Sequence, residues 1–342
     1  MSFDTYQLII HELEKTPESS EAKLFLSNSI IPLDERATEL VEKLNHTFTQ
    51  KEDTLQAFLS SPEDALFPGY TQVLVEEDLS EKAFVTFSRD TMNALQLSLQ
   101  GVVGAKGGYI VYAHYADFEQ EMLGIFIVRD TEGLIFQKQE DQATFALNPV
   151  TYLNTDKLAM ACRIKIDKYQ EGQGRCVELI KYAKSQKEIS EYFMNWIGID
   201  RPESSKELTN SFLEMVNELP LPVDEDTGAP MQESQFREKV LNFALNNPQK
   251  TINIKEFDQA FYGQSKAVEN FMENNSIEMD EEFRFDKNAI KKYYNHKASD
   301  NGLYLYFNRK HIQAGQIRVE GENIIIHAPE LAEQVMDIMN DY

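Results

Sequence analysis

Three β-rich segments that follow one another closely constrain the fold of this chain more than any other feature. These segments are 109–115, 122–129 and 134–137. The polar stretch 116–121 and the turn-forming residues 130–133 separate them. Connections this short join antiparallel neighbours but cannot hold the helical crossover of a parallel βαβ unit. The sequence therefore predicts an antiparallel meander, with two further strands at 158–166 and 175–182.

Hydrophobic periodicity predicts helices on either side of this sheet. Residues 32–34 form a helix start, and apolar residues then recur at helical spacing through 40–48. Further elements are expected as helices at 52–59, 79–99 and 185–196 and as a strand pair within 6–26. The sequence thus predicts an N-terminal α+β domain over 1–199, an antiparallel sheet with flanking helices.

The composition of the sequence changes at Asp200. Beyond this residue, the prolines at 202, 220, 222 and 230 interrupt acidic segments that have helical periodicity. We expect an acidic helical connector over 200–250, with helices at 207–219 and 233–245. Residues 251–342 are expected to form a smaller α+β C-terminal domain. Its expected elements are helices at 254–262, 265–274 and 329–339 and strands at 251–254, 303–307, 317–320 and 323–327. The predicted class of the whole chain is α+β.

The charge of the chain is strongly acidic but unevenly distributed. The 342 residues include 33 Lys and Arg and 57 Asp and Glu, a formal net charge of −24. This charge excludes a protein that coats nucleic acid with its whole surface. Two windows are nevertheless positive: residues 157–187 carry 8 basic and 3 acidic side chains, and residues 284–318 carry 8 basic and 2 acidic.

These two windows are the candidate contacts for a polyanion, because basic side chains neutralise phosphates and aromatic side chains stack on exposed bases. The predicted DNA-binding residues are Lys165, Lys168, Arg175, Lys181, Lys184 and Lys187 in the first window and Lys291, Lys292, Arg309 and Lys310 in the second. The second window also holds several tyrosines, among them Tyr304 and Tyr306. The alternative is that both windows are ordinary solvated faces whose aromatic side chains enter the core.

Motifs of phosphate binding and metal binding are missing. The glycine-rich stretch 101–108 lacks the Lys-Ser/Thr ending of a phosphate-binding loop, and we expect a helix-to-strand turn there. A grouping of His114, Asp117 and Glu119 suits a metal or a general base, although a half-buried strand histidine is the simpler interpretation. The acidic clusters 76–78 and 280–282 are expected to be solvated helix starts.

The two cysteines form neither a disulfide framework nor a zinc site. No apolar run of about 18 residues is present, which argues against a membrane-spanning helix. The N-terminus also lacks the pattern of a signal peptide. We therefore expect a cytoplasmic protein that is not an enzyme and that needs no metal or cofactor.

Seven blocks of sequence together resemble the bacterial nucleoid-associated protein family (NdpA-like). They are GGYIVYAHY at 107–115, LGIFIV at 123–128, LNPVTYL at 147–153, ACRIKID at 161–167, EISEYFMNWIG at 188–198, GLYLYF at 302–307 and IIIHAPEL at 324–331. No single block is a chemical signature, but their order and spacing are similar to those of the family over nearly the whole chain. The resemblance implies a cytoplasmic protein of the nucleoid with DNA as its ligand and with no established catalytic residues.

The leading hypothesis is a nucleoid-associated protein that binds duplex DNA with low sequence specificity through local basic patches. A homodimer would double the basic footprint. The alternative is an acidic protein-interaction module that joins the nucleoid through a DNA-associated protein partner. A third interpretation is a metal-dependent enzyme, and it predicts that His114, Asp117 and Glu119 converge in a pocket.

Overall fold

The protein has an α+β fold, as the sequence predicts. The computed structural model describes residues 3–16, 18–19, 21–52, 54–100, 105–139, 144–172, 174–180, 187–224, 227–263 and 266–340. Two compact units form: Met1–Leu208 with Glu278–Arg284, and Thr209–Ile277 with Phe285–Tyr342. The division into an N-terminal domain, a connector and a C-terminal domain at residues 200 and 250 stays a prediction.

An eight-stranded sheet dominates the first unit. Its strands are β1 (Phe3–Glu14), β2 (Lys23–Phe25), β3 (Thr54–Leu59), β4 (Gly108–Asp117), β5 (Gln120–Gln139), β6 (Thr144–Lys165), β7 (Val177–Ile180) and β8 (Ile199–Ser204). The spatial order is β2-β1-β4-β5-β6-β7-β3-β8, and every neighbouring pair is antiparallel. The predicted antiparallel sheet is therefore confirmed, but the predicted third strand at 134–137 is not separate and forms the second half of β5.

Two predicted elements of this sheet are wrong. Residues 130–133 form no turn but continue β5, and they pair with Leu153 to Val150 of β6. Gly133 suits this position because a Cβ there would lie 2.8 Å from the Tyr152 ring on the neighbouring strand. Residues 52–59 contain strand β3 and not a helix, because β3 pairs with β7 on one side and β8 on the other. Long-range pairing of this kind overrides local propensity.

Helices cover both faces of the sheet. Those of this part of the chain are α1 (Glu35–Gln50), α2 (Leu66–Glu76), α3 (Glu81–Ser98), α4 (Ile166–Glu171) and α5 (Lys187–Ile197). Successive side chains of β4 point to opposite faces of the sheet. Tyr112 packs in one core with residues of α2, α3 and α5. Val111 packs in a second core with residues of α1. Asp34 caps α1 by accepting a hydrogen bond from the Ala37 amide at 2.9 Å.

The first unit also contains a short segment from much later in the chain. This segment, Glu278–Arg284, includes strand β10 (Glu282–Arg284) and is called the return segment below. The acidic cluster 280–282 therefore leads into a strand, and the cluster 76–78 begins at the last residue of α2. The prediction that both clusters are solvated helix starts is wrong.

The second unit is mostly helical. Its elements are α6 (Ser205–Glu218, which begins in the first unit), α7 (Glu233–Leu245), β9 (Thr251–Asn253), α8 (Ile254–Tyr262), α9 (Ala267–Asn275), α10 (Lys287–Tyr294), β11 (His296–Asp300), β12 (Leu303–Phe307), α11 (Arg309–Gln313), β13 (Ile317–Glu320), β14 (Asn323–Ile326) and α12 (Pro329–Asn340). Its core contains Phe212, Phe236 and Phe257, with the Phe212 and Phe257 rings 5.1 Å apart. Among the described residues, no helix is long and apolar enough to cross a membrane.

Candidate nucleic-acid interface

Lys165, from the first basic window, points into the protein. Its side chain is 4 % exposed, and Nζ lies 3.3 Å from Glu178 Oε1 and 3.0 Å from Glu282 Oε1. Burial alone would lower the pKa of Lys165, but the two carboxylates outweigh burial and raise the pKa. The lysine is therefore a buried cation that is already neutralised within the chain.

Glu178 is the centre of this ionic cluster. Arg163 Nη2 donates to Glu178 Oε2 at 2.5 Å, and Arg284 Nη1 lies 3.8 Å from the same oxygen. Burial would raise the pKa of Glu178, but Lys165, Arg163 and Arg284 hold it far below its ordinary value. Burial has the largest effect on Arg284 and lowers its pKa to about 10. Both guanidinium groups also lie over the Phe48 ring, at 4.1 and 5.7 Å from its centroid.

Lys168 and Arg175, the next two predicted residues, bind the return segment. Lys168 Nζ lies 3.0 Å from Glu282 Oε1, and Arg175 pairs with Asp280 as well as with Glu203 at 2.5 Å. The structure thus brings Lys165, Lys168 and Arg175 together around an acidic piece of their own chain.

The backbone of the return segment is fixed as well. Arg284 Nη2 donates to the carbonyls of Thr49 at 2.6 Å and Lys51 at 2.9 Å. The Gln56 side chain accepts from the Arg284 amide at 2.7 Å and donates to the Arg284 carbonyl at 2.9 Å. These bonds leave the return segment little freedom to expose the cations beneath it.

The other predicted residues of the first window cannot be placed in the same way. Lys181 and Lys184 lie outside the described residues. Lys187 is described only as the first residue of α5. Whether these three lysines share a face stays a prediction.

The second window presents cations outward. In α10, Asp286 caps the helix by accepting from the Ala289 amide at 2.7 Å, and Ile290 and Tyr294 are buried. Lys291 and Lys292 lie in the last turn, where both are exposed. Neither lysine forms an ion pair with any residue that the structure describes. Cations at this end also suit the helix dipole, which is the purely structural explanation of their position.

The hairpin β11–β12 continues the second window. Tyr304 and Tyr306 are 63 % and 62 % exposed, and because they are two residues apart on β12 they lie on the same side of the hairpin. Lys297 is the register partner of Tyr306. Arg309 and Lys310 begin α11, and only their backbone is described. We call residues 287–318, with 7 basic and 1 acidic side chains, the basic segment.

The candidate metal or acid–base grouping does not converge. His114 Nε2 lies 2.5 Å from Glu121 Oε1, whereas Asp117 accepts from Asn45 Nδ2 at 2.8 Å. Glu119 occupies the turn between β4 and β5, with φ +68°. Burial lowers the pKa of His114 despite its bond to Glu121. In the described parts of the chain, no group of three or more His, Cys, Asp or Glu is placed to hold a metal ion.

The two cysteines are buried, and burial raises the pKa of both thiols. Neither is therefore a reactive thiolate at neutral pH. The glycine-rich stretch lies between α3, which ends at Ser98, and β4, which begins at Gly108. It therefore separates a helix from a strand, as the sequence predicts. Residues 101–104 of this stretch lie outside the described residues.

The family of the chain follows from its similarity to known proteins. The family model described as nucleoid-associated protein YejK matches residues 9–334. This chain belongs to that family. The resemblance predicted from the sequence is thereby confirmed, and it extends over both units of the nucleoid-associated family member.

Individual relatives are distant but match along almost their full length. A nucleoid-associated protein of Pseudomonas entomophila is 22 % identical over 337 residues, which cover 96 % of each chain. A nucleoid-associated protein of Pseudomonas putida is 24 % identical over 308 residues, 87 % of this chain and 88 % of the relative. One of Pseudomonas paraeruginosa is 24 % identical over 345 residues, 96 % of this chain and 94 % of the relative.

Sequence reasoning missed the ionic cluster in this nucleoid-associated family member. The missed residues are Arg163, Glu178, Glu282 and Arg284. The sequence did contain a sign of buried charge. Glu178 and Arg284 each lie between two apolar residues in a short segment of strand-forming residues, Val-Glu-Leu and Phe-Arg-Phe. A charge at such a position faces the interior or a sheet partner, and a buried charge requires a counterion. The partner itself was not predictable, since Lys165 and Glu282 are 117 residues apart.

Proposed function

We propose that this chain is a non-enzymatic protein of the cytoplasmic nucleoid that binds duplex DNA directly, through the basic segment. Family membership supports the association with the nucleoid. The observation that carries direct DNA contact is that Lys291 and Lys292 are exposed and form no ion pair with any of the described residues. We also propose that the functional form is a homodimer, which presents two basic segments to one duplex.

The two positive windows do not support DNA contact equally. Lys165, Lys168 and Arg175 are already bonded to carboxylates of their own chain, so a phosphate would have to break these ion pairs before binding. Lys291 and Lys292 have no such competitor among the described residues. DNA contact therefore has stronger physical support at the second window, and we propose Lys291, Lys292, Arg309 and Lys310 as its main residues.

Binding through lysines and arginines at phosphates carries little sequence information. The acidic remainder of the chain repels DNA and confines contact to the basic segment. Tyr304 and Tyr306 add aromatic surface beside these cations, which favours stacking where bases are exposed. Duplexes of different sequence are therefore expected to bind with similar affinity.

Matched charge-reversal variants test this proposal. The double variant K291E/K292E changes the net charge from −24 to −28, and so does K23E/K82E, which alters two exposed lysines of the first unit. Fluorescence anisotropy with a labelled duplex at about 50 mM salt should show at least about tenfold weaker binding for K291E/K292E. K23E/K82E should bind within about threefold of the wild type, since only global charge has changed.

Two outcomes would overturn the proposal. The first is a folded wild-type protein that does not retain duplex DNA at this salt concentration. The second is an equal loss in both double variants, which would assign binding to overall charge and not to the basic segment.

An acidic protein-interaction module is the second candidate, and the charge of the N-terminal residues favours it. Residues 1–154 carry 25 acidic and 10 basic side chains, a surface suited to a basic protein partner. Affinity capture from a nuclease-treated lysate distinguishes the two functions. A protein partner is retained after nuclease treatment, whereas partners tethered through DNA are lost.

A further inference from the structure

The C-terminal hairpin and helix leave their apolar side chains uncovered. Eight large apolar side chains of β13, β14 and α12 are 40–71 % exposed, and we call them together the C-terminal apolar surface: Val319, Ile324, Ile326, Leu331, Val335, Met336, Ile338 and Met339. Helix α12 buries no residue at all. The hairpin β13–β14 is a sheet of two strands, and such hairpins are marginally stable in water on their own.

Helix α12 has the sequence of a helix that packs against something. Its apolar stripe follows helical spacing at Leu331, Val335, Ile338 and Met339. Its acidic side chains, Glu330, Glu333 and Asp337, follow the same spacing on the opposite side. A helix with such a division normally buries its apolar stripe. In the single chain this stripe is solvated.

The size of the exposed surface matches that of a stable protein interface. Eight large apolar side chains that are each 40–71 % exposed present several hundred Å² of apolar area. A stable interface buries about 800 Å² per partner. The largest apolar patch on a typical monomeric protein is about 300–600 Å² and is often functional. The C-terminal apolar surface is therefore large enough for a lasting contact.

The distribution of charge favours a second copy as the partner. Residues 287–340 carry 7 basic and 6 acidic side chains, a net charge of +1, whereas residues 1–286 carry 26 basic and 50 acidic, a net charge of −24. Two copies of so acidic a chain repel each other over most of their surface. The C-terminal residues are a region through which two copies can approach without that repulsion.

We propose that the C-terminal apolar surface is the self-association surface of the chain, covered by the same surface of a second copy in a two-fold homodimer. A two-fold contact uses one self-complementary patch twice, so the hairpin and helix of each copy can cover those of the other. The proposal names the surface of the homodimer introduced above, and it does not rest on DNA binding. The apolar surface adjoins the basic segment in the chain, so pairing here also joins two basic segments.

Sedimentation equilibrium of the full chain without DNA tests this proposal. At about 10 μM the wild type should have a mass of about twice 39.4 kDa. The variant V335D/M339D should have the mass of a single chain and a dissociation constant raised at least about 100-fold, because charges in a desolvated contact are costly. The control V73D/L97D alters two exposed apolar residues of the first unit, 50 % and 60 % exposed, and should remain dimeric.

A single-chain mass for the wild type overturns the proposal and leaves an unlike partner, or another part of the same chain, as the cover. A dimeric V335D/M339D also overturns it, because the contact would then lie elsewhere. Both results are independent of whether the protein binds DNA. Circular dichroism should show unchanged helix content in the variants, since Val335 and Met339 are exposed in the single chain.

Thiol reactivity gives a second test that does not depend on a disruptive variant. In I338C the new thiol is the accessible one, because Cys162 and Cys176 are buried. Its rate of reaction with a maleimide should fall at least about tenfold when the protein concentration is raised from the monomeric to the dimeric range. L97C should react at the same rate throughout. A rate for I338C that does not depend on concentration overturns the proposal.

Discussion

Arg163 and Glu178 are register partners on the adjacent strands β6 and β7, and their side chains meet at 2.5 Å with almost no exposure to solvent. Around this pair, Lys165 and Arg284 also face the Glu178 carboxylate. Three cations thus share one buried anion, and Lys165 also pairs with Glu282. Arg163, Lys165, Lys168 and Arg175 of the first window therefore belong to a structural cluster that binds the return segment.

Removal of the charge on Glu178 should destabilise the first unit strongly. E178Q leaves Arg163, Lys165 and Arg284 buried without their shared counterion, and breaking a buried ion pair costs about 3–5 kcal/mol. The control E203Q removes a partner of Arg175 that is 45 % exposed, and it should cost less than about 1 kcal/mol. Urea unfolding measures both free energies. Equal losses in the two variants would contradict the role assigned to Glu178.

Acid should weaken the same cluster. Burial alone would raise the pKa values of Glu178 and Glu282, but Lys165 and its cationic neighbours outweigh burial and lower both. Below the ordinary Glu pKa of 4.5, the unfolded chain therefore binds more protons than the folded chain. The free energy of unfolding that these two groups contribute is complete above that pH and is lost as the pH falls further.

The double variant E178Q/E282Q provides the comparison for the acid prediction. Urea unfolding at about pH 7, 5 and 4 should show a decline of stability in acid that is steeper for the wild type than for this variant. If both proteins lose the same free energy between these pH values, the two carboxyl groups are not the acid-sensitive ones.

Gly107 should not tolerate any side chain. The reason is close backbone packing and not the binding of a ligand. A Cβ at this position would lie 2.7 Å from the Lys15 amide nitrogen and closer still to the Leu13 carbonyl oxygen. The backbone of residues 13–15, at the end of β1, cannot yield as a flexible side chain can. We expect G107A to lose about 1–3 kcal/mol of stability, and the exposed neighbour variant K106A to stay within about 0.5 kcal/mol. Thermal unfolding of both variants checks this, and a fully stable G107A would refute it.

Local patterns made part of the fold predictable. Helices α7 and α8 and strand β12 have the predicted bounds, because their periodicity and end signals lie within the segments themselves. Strand β3 was mistaken for a helix, because its identity depends on β7 and β8, which lie more than 100 residues later. The predicted turn at 130–133 is wrong for a related reason. These turn-forming residues pair with β6, and this pairing keeps them in the extended conformation of a long strand.

The candidate site was predictable only in part. The sequence located both positive windows, but a count of charges does not show which lysines have partners elsewhere in the chain. Lys165 and Lys291 have the same side chain, and only the tertiary structure separates the buried ion pair of Lys165 from the exposed ammonium of Lys291.

The salt dependence of DNA affinity is the most direct test of the account, because each phosphate contact releases counterions. The slope of log K against log salt should become less negative by about 1.8 in K291Q/K292Q, about 0.9 for each lost contact. In K165Q/K168Q, anisotropy under conditions where the protein is folded should give the wild-type slope. An unchanged slope in K291Q/K292Q, or a loss confined to K165Q/K168Q, would contradict the proposal that DNA binds at the basic segment while Lys165 and Lys168 stabilise the first unit.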